Sequence, residues 1–280
     1  MIWKGRRRSD NVEDRRRVPA KGVAVGGVGT LVLVLAIYLL GGDPTVVLDS
    51  VQHTTSGEPS SHQETAKEKE LAEFVSVVLA DTEDVWRDIF NREGKQYRMP
   101  KLVIFSGTVD SACGRAGKST GPFYCPADGS VYIDLSFYDD LQHRFGAPGD
   151  FAMAYVIAHE VGHHVQNLTG TMDRVMRLRS RLGEGEFNPY LVRLELQADY
   201  YAGVWAHHAE RMKLLEEGDI EEALNAASAV GDDRIQQRAR GYVVPDSFTH
   251  GTSEQRMRWF YRGFRSGIME DGDTFSAGEL

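Results

Sequence analysis

Between residues 67 and 94 the apolar positions Leu71, Phe74, Val75, Val78, Leu79, Val85, Trp86, Ile89 and Phe90 recur at i, i+3, i+4 and i+7. That spacing predicts a long amphipathic helix with its apolar stripe in a core, ended by Gly94. Pro100 leads into Leu102-Val103-Ile104-Phe105, an apolar run of strand length. After a Gly-rich loop, Val131-Tyr132-Ile133-Asp134-Leu135 predicts a second strand. From Phe151 onward the period is helical, with helices expected at about 151–167, 190–212, 219–240 and 253–266. No internal repeat is apparent. The expected fold class is α+β, a small sheet on a larger, mostly helical body.

The stretch 22–40 departs from this pattern, with 19 residues and no charge. As a helix it spans roughly 28 Å, close to the hydrocarbon thickness of a bilayer. A cleaved signal peptide and a buried core helix are the alternatives. The run exceeds a usual signal h-region, no A-x-A-like site follows Leu40, and no polar face is present. Residues 1–21 hold eight basic and three acidic residues, a charge of +5, whereas the other 24 basic and 38 acidic residues give −14. The positive-inside rule then predicts a basic cytoplasmic N-terminus at 1–21 and a single transmembrane anchor at 22–42. A flexible stalk rich in Ser, Thr, Gln, His and Pro follows at 43–66, then a domain at 67–268 and a C-terminal tail at 269–280. The expected location is the cell membrane, single-pass, with the C-terminal domain extracytoplasmic and residues 22–40 as the membrane contact. A body this acidic repels phosphate backbones, and no nucleic-acid partner is expected. With 280 residues, 41% of them hydrophobic, the chain has ample material for a core.

Candidate chemistry concentrates in the helix at 151–167, which contains His159-Glu160-Val161-Gly162-His163. Residues four apart on a helix share a face, so both imidazoles can reach one Zn2+. Glu160 lies about 100° round the helix, where it can take a proton from a water that the metal activates. A catalytic zinc needs a third protein ligand and an open position. Glu195 and Asp199 are again four apart on a predicted helix, with Leu191, Leu194, Ala198 and Ala202 around them. One carboxylate can bind the metal while the other accepts the free ring N–H of a ligand histidine. Two cysteines are too few for a disulfide scaffold. Outside the cytoplasm Cys113 and Cys125 are expected to pair, closing a loop worth about 3 kcal/mol in the chain-entropy picture. Zinc ligation by the two thiols is the alternative.

The segment FAMAYVIAHEVGHHVQ at 151–166, ELQAD at 195–199, HGTSEQR at 250–256 and the cysteine-containing stretch SACG with GPFYCPADGSVYIDLSFYDDL resemble the putative neutral zinc metallopeptidase family of bacteria, over about residues 64–268. That family is itself similar to the gluzincins. The resemblance implies a zincin-like domain in which His159, His163 and Glu195 bind zinc, Glu160 is the general base and Asp199 supports a ligand. It also implies a peptidase acting on protein or peptide substrates. By analogy His250 donates to the oxyanion of the reaction, with capping by Thr252 or Ser253 beside an ordinary loop histidine as the alternative. The strand at 131–135 is the analogous candidate for pairing with extended substrate. Arg256 is expected in a surface salt bridge. His164 is expected to point off the metal face, and His207 and His208 to lie too far along their helix for the same ion. The expected activity is that of a membrane-anchored zinc endopeptidase. A zinc-stabilised interaction module and a metal amidase acting on cell-wall peptides are the alternatives.

Overall fold

The structure, a computed structural model, describes residues 1–16 and 64–280. Residues 1–14 and 66–280 pack as one compact unit, and 15–65 belong to a second. Strand β1 (Val12–Asp14) precedes the long helix α1 (Ala66–Arg92), followed by β2 (Lys101–Phe105), β3 (Thr108–Ser111), β4 (Gly114–Gly117), β5 (Phe123–Cys125) and β6 (Ser130–Asp134). The helical body comprises α2 (Asp150–Leu168), α3 (Thr171–Met176), α4 (Glu184–Arg211), α5 (Asp219–Ala229), α6 (Asp232–Arg240) and α7 (Ser253–Ser266). The mostly helical α+β architecture stands. The transmembrane half of the expected fold class is corrected: among the described residues no helix is long and apolar enough to cross a membrane. The expected anchor at 22–42 and the stalk through residue 63 lie outside the described residues.

Four strands form one sheet in the order β1-β2-β6-β5, with β1, β2 and β6 parallel and β5 antiparallel to β6. Alternation along β2 and β6 sends Leu102, Ile104, Val131 and Ile133 to the helical core. The opposite face gathers Val103, Phe105 and Tyr132 with Val109 and Cys125, beside the β3–β4 hairpin. Cys113 and Cys125 form a disulfide that ties the turn of this hairpin to the end of β5. The strand at 130–134 is therefore interior, between β2 and β5, and the edge strands are β1 and β5. This corrects the assignment of 131–135 as a substrate-pairing edge.

The basic head is also placed differently from expectation. Arg6 pairs with Asp81 at 2.5 Å, Arg7 with Asp84 at 2.8 Å and Lys4 with Glu70 at 2.9 Å, and Arg8 reaches Glu73. Ser9 and Asn11 both donate to the buried Glu83 carboxylate, at 2.6 and 2.7 Å. Trp3 packs edge-on against Phe74, with ring centroids 5.4 Å apart. The Met1 amino group sits among Asp150, Glu216 and Asp219, at 2.8, 3.1 and 3.3 Å. Residues 1–14 are thus an arm packed directly on the body along α1. The expected tail at 269–280 likewise docks on α4: Thr274 donates to the Arg193 carbonyl at 2.6 Å and Gln197 to that of Gly272 at 2.8 Å.

Two helices depart from their expected bounds for local reasons. Helix α4 begins at Glu184 with Pro189 inside it, and the Glu186 carboxylate accepts from the Gly183 N–H at 3.1 Å to close its first turn. The single helix expected at 219–240 breaks at Val230-Gly231, and in the first turn of the helix that restarts there Asp232 and Asp233 accept from the backbone of 249–253.

Every residue of α2 from Phe151 to Gln166 is buried. Its passage past α4 is close: a Cβ on Gly162 would stand 2.9 Å from the Ala198 carbonyl oxygen. On the other side of α4, a Cβ on Gly203 would stand 2.0 Å from the Phe260 oxygen of α7, and one on Gly263 equally close to the Tyr200 oxygen. On a free helix Gly→Ala gains about 1 kcal/mol from propensity. Here we expect Gly203→Ala to destabilise by about 1–3 kcal/mol through overpacking against backbone. The urea midpoint of the purified protein reads the sign, and a rise would contradict the close α4–α7 contact.

Candidate metal centre

Helix α2 presents His159 and His163 one turn apart, their rings perpendicular with centroids 4.8 Å apart and both side chains buried. Helix α4 brings Glu195 against them. One carboxylate oxygen lies 3.2 Å from His159 Nε2 and the other 3.4 Å from His163 Nε2. Two ligands each about 2.0–2.1 Å from a tetrahedral zinc are about 3.3 Å from one another, so these spacings fit the edges of such a site. His159, His163 and Glu195 form one of two clusters among the described residues whose donor atoms lie within 4.8 Å of one another. The other, Asp150, Asp219 and Glu222, lies where Asp150 and Asp219 bind the Met1 ammonium.

The rear nitrogen of each histidine is occupied. His159 Nδ1 bonds Asp199 Oδ1 at 2.8 Å, and His163 Nδ1 bonds Gln166 Oε1 at 2.9 Å. Gln166 is fixed in turn by donating to the Leu194 carbonyl at 2.7 Å and to Gln197 at 3.1 Å. With Nδ1 so engaged, each Nε2 is the nitrogen presented to a metal. Sequence reasoning missed Gln166, although its position three residues after His163 places it on the same face.

Asp199 is fully buried and heavily bonded. Tyr155 donates its hydroxyl to Oδ1 at 2.5 Å, and Arg256 donates from Nε to Oδ2 at 2.8 Å and from a terminal nitrogen to Oδ1 at 3.0 Å. Arg256 is therefore interior, 4% exposed, rather than in the surface salt bridge expected of it. Burial works against the Asp199 charge, but Arg256 and His159 outweigh it and hold its pKa down to about 2. Burial likewise opposes charge on His159, yet Asp199 and Glu195 lift its pKa to about 10. Glu195 also overcomes its burial: His163, His250 and His159 hold it well below the usual carboxylate range. The cluster is one that attracts positive charge.

Tyr155, His159, His163, Glu195 and Arg256 form a stretch of the wall of a cleft of about 590 Å3 that Glu160 and His250 also line. Phe123 and Tyr124 from edge strand β5, Met172 and Met176 around α3, and Leu191 and Leu194 of α4 give it apolar sides. Asp232 cradles the His250 loop. Its Oδ2 accepts from the N–H groups of Thr249, His250 and Gly251 at 2.7, 2.6 and 3.1 Å, and Oδ1 lies 3.3 Å from His250 Nδ1. Burial lowers the His250 pKa, but Glu195 and Asp232 raise it overall. Thr252 caps α7 through a capping box with Gln255. Asp232, absent from the sequence expectations, lay hidden in what the period presented as mid-helix.

His164, His207 and His208 lie, as expected, off the face that His159 and His163 share. His164 donates from Nε2 to the Arg98 carbonyl at 2.6 Å, with Tyr124 Oη 3.0 Å from Nδ1. His207 and His208 bond the carbonyls of Phe264 and Gly267.

A family model described as putative neutral zinc metallopeptidase matches residues 1–275, a longer stretch than the 64–268 legible in the motifs. The uncharacterized protein YpfJ of Escherichia coli K12 is 50% identical over 287 residues, covering 98% of this chain and 99% of that protein. The uncharacterized protein Rv2575 of Mycobacterium tuberculosis H37Rv is 40% identical over 261 residues, 86% of each chain. No solved structure matches the chain.

We expect His159→Ala and His163→Ala to purify with far less than one zinc per chain, measured by elemental analysis. Full zinc in both would contradict the donor set. Burial holds the His164 pKa down to about 4. The unfolded chain binds that proton near pH 6.5, so between these values the unfolded state holds more protons. The stability that neutral His164 gives above pH 6.5 is thus lost as pH falls through 6.5 towards 4, by about 3 kcal/mol. Urea unfolding across that range should show a shallower slope in His164→Gln, and an unchanged slope would assign the effect elsewhere.

Proposed function

This chain belongs to the putative neutral zinc metallopeptidase family, and from that membership we propose that it is a zinc-dependent endopeptidase working outside the cytoplasm. The observation that carries the proposal is the facing of His159, His163 and Glu195 in a cleft that Glu160 also lines. A structural zinc site closes all four positions with protein ligands, usually Cys and His. Three donors at an open cleft suit catalysis instead.

His159, His163 and Glu195 would hold the ion. Bound zinc would polarise a scissile carbonyl and bring the pKa of the attacking water to about 7. Glu160, next to His159 on α2, takes the proton of that water and delivers it to the leaving amine. His250, steadied by Asp232 at the cleft, donates to the developing oxyanion. An extended substrate laid along β5 pairs main chain to main chain with that edge strand, a mode suited to cutting inside a chain. The disulfide between Cys113 and Cys125 supports an oxidising compartment.

Glu160→Gln keeps the side-chain shape and removes the base, so zinc content and unfolding midpoint should match wild type while peptide hydrolysis falls by about 100–10,000-fold. Equal activity in wild type and variant would remove Glu160 from the mechanism. The same assay with peptidoglycan fragments in place of protein would assign the enzyme to cell-wall amide bonds if only those are cut. A thiol reagent applied to protein taken directly from cells should label neither cysteine until a reductant is added, and ready labelling would contradict the compartment.

A further inference from the structure

We infer that Arg256 is the positioning residue of the metal centre, acting through Asp199 to aim His159. The inference rests on His159 being a metal ligand, and so on the reading proposed above. The Asp199 carboxylate has short reach, one methylene from α4, and its Oδ1 is shared by Tyr155, His159 and Arg256. A carboxylate held by a single hydrogen bond can rotate about its Cβ–Cγ bond. One gripped by two nitrogens of a planar guanidinium cannot, because the fork sets the carboxylate plane. Arg256 supplies that fork from Nε and a terminal nitrogen. The position of Oδ1, and with it the direction of the bond to His159 Nδ1, is then fixed by a residue that does not bind the metal.

The guanidinium is itself held. Its other terminal nitrogen donates to the Val230 carbonyl at 3.2 Å, where α5 ends, and the nitrogen shared with Asp199 also reaches Tyr155 Oη at 3.3 Å. Each of its three nitrogens has a partner inside the protein, which holds the guanidinium in place. The Thr252 capping box sets where α7 begins, which brings Arg256 over Asp199 in the first turn. The α7 segment HGTSEQR thus serves the centre at both ends, with His250 at the cleft and Arg256 behind the ligand.

Zinc affinity of the full chain, measured by competition with a chromogenic chelator, tests this. The proteins compared are wild type, Arg256→Gln, Asp199→Asn and the double variant, with the urea midpoint of each apo-protein recorded alongside. Loss of such a supporting partner typically weakens metal binding about 10–100-fold, and Arg256→Gln is expected to do so. Within the Asp199→Asn background the same change should alter affinity less than about twofold, because the intermediary is already disabled. Arg256→Lys, which keeps the charge without the fork, should recover affinity only partly. If Arg256→Gln does not fold, Arg256→Lys replaces it in both backgrounds under the same criteria. Zinc affinity within about twofold of wild type, or an equal loss in both backgrounds, would overturn the inference. Wild type that binds zinc yet cleaves no substrate would overturn the peptidase reading alone, whereas wild type that binds no zinc would overturn both.

Discussion

The facing of His159, His163 and Glu195 depends on how near three helices come to one another. Helix α4 passes α2 at Gly162 and α7 at Gly203 and Gly263, in each case at a separation with no room for a Cβ. Ordinary helix pairs stand 8–10 Å apart, the spacing that side chains impose. Asp199 is a short side chain, yet it must touch His159 on one neighbour and Arg256 on the other. A longer acid would bridge a wider gap but would bring more rotatable bonds, and with them a looser hold on the imidazole. The small residues of the helix contacts and the short acid at their centre are thus one constraint seen at two scales.

Such proximity places charge where water is excluded, and burial of an unpaired carboxylate costs several kcal/mol. Asp199 avoids that penalty with four donated hydrogen bonds, from Tyr155, His159 and twice from Arg256. Removing any partner leaves another group buried and unsatisfied, so the network holds or fails together. A dication held there would add to the same balance, since Glu195, its pKa lowered despite burial by His163, His250 and His159, faces two imidazoles. Binding of a metal by these donors would consequently be coupled to the packing of α2, α4 and α7. The network contributes geometry more than stability.

How much of this was legible follows from the range of each signal. The grouping of His159 with His163 and of Glu195 with Asp199 was readable because residues four apart on a helix share a face. The pairing of Cys113 and Cys125 was an expectation drawn from the proposed compartment, and the bond is present. Gln166, Asp232 and the true place of Arg256 were not, because each acts across elements whose mutual approach no local period encodes. The split of 219–240 was hidden for a related reason. Its residues keep a helical pattern throughout, while the break lies beside contacts that Asp232 and Asp233 make with a later loop. The edge strand was missed because β5 has three residues, too few for alternation to show.

The basic residues of the arm have partners that no local rule brings into view. Eight cations ahead of an uncharged run satisfy the pattern of a cytoplasmic flank, and nothing within residues 1–40 contradicts it. The competing explanation lies further along the chain, in Glu70, Glu73, Asp81, Glu83 and Asp84 of α1. Those acids recur on one helix at spacings that present them together, and Arg6, Arg7, Arg8 and Lys4 meet them. Single exposed ion pairs of this kind contribute little. The arm gains its hold from the buried members, Glu83 receiving Ser9 and Asn11, Trp3 against Phe74, and β1 paired to β2. Within the described residues, cations of the arm and acids of α1 therefore meet by charge complementarity.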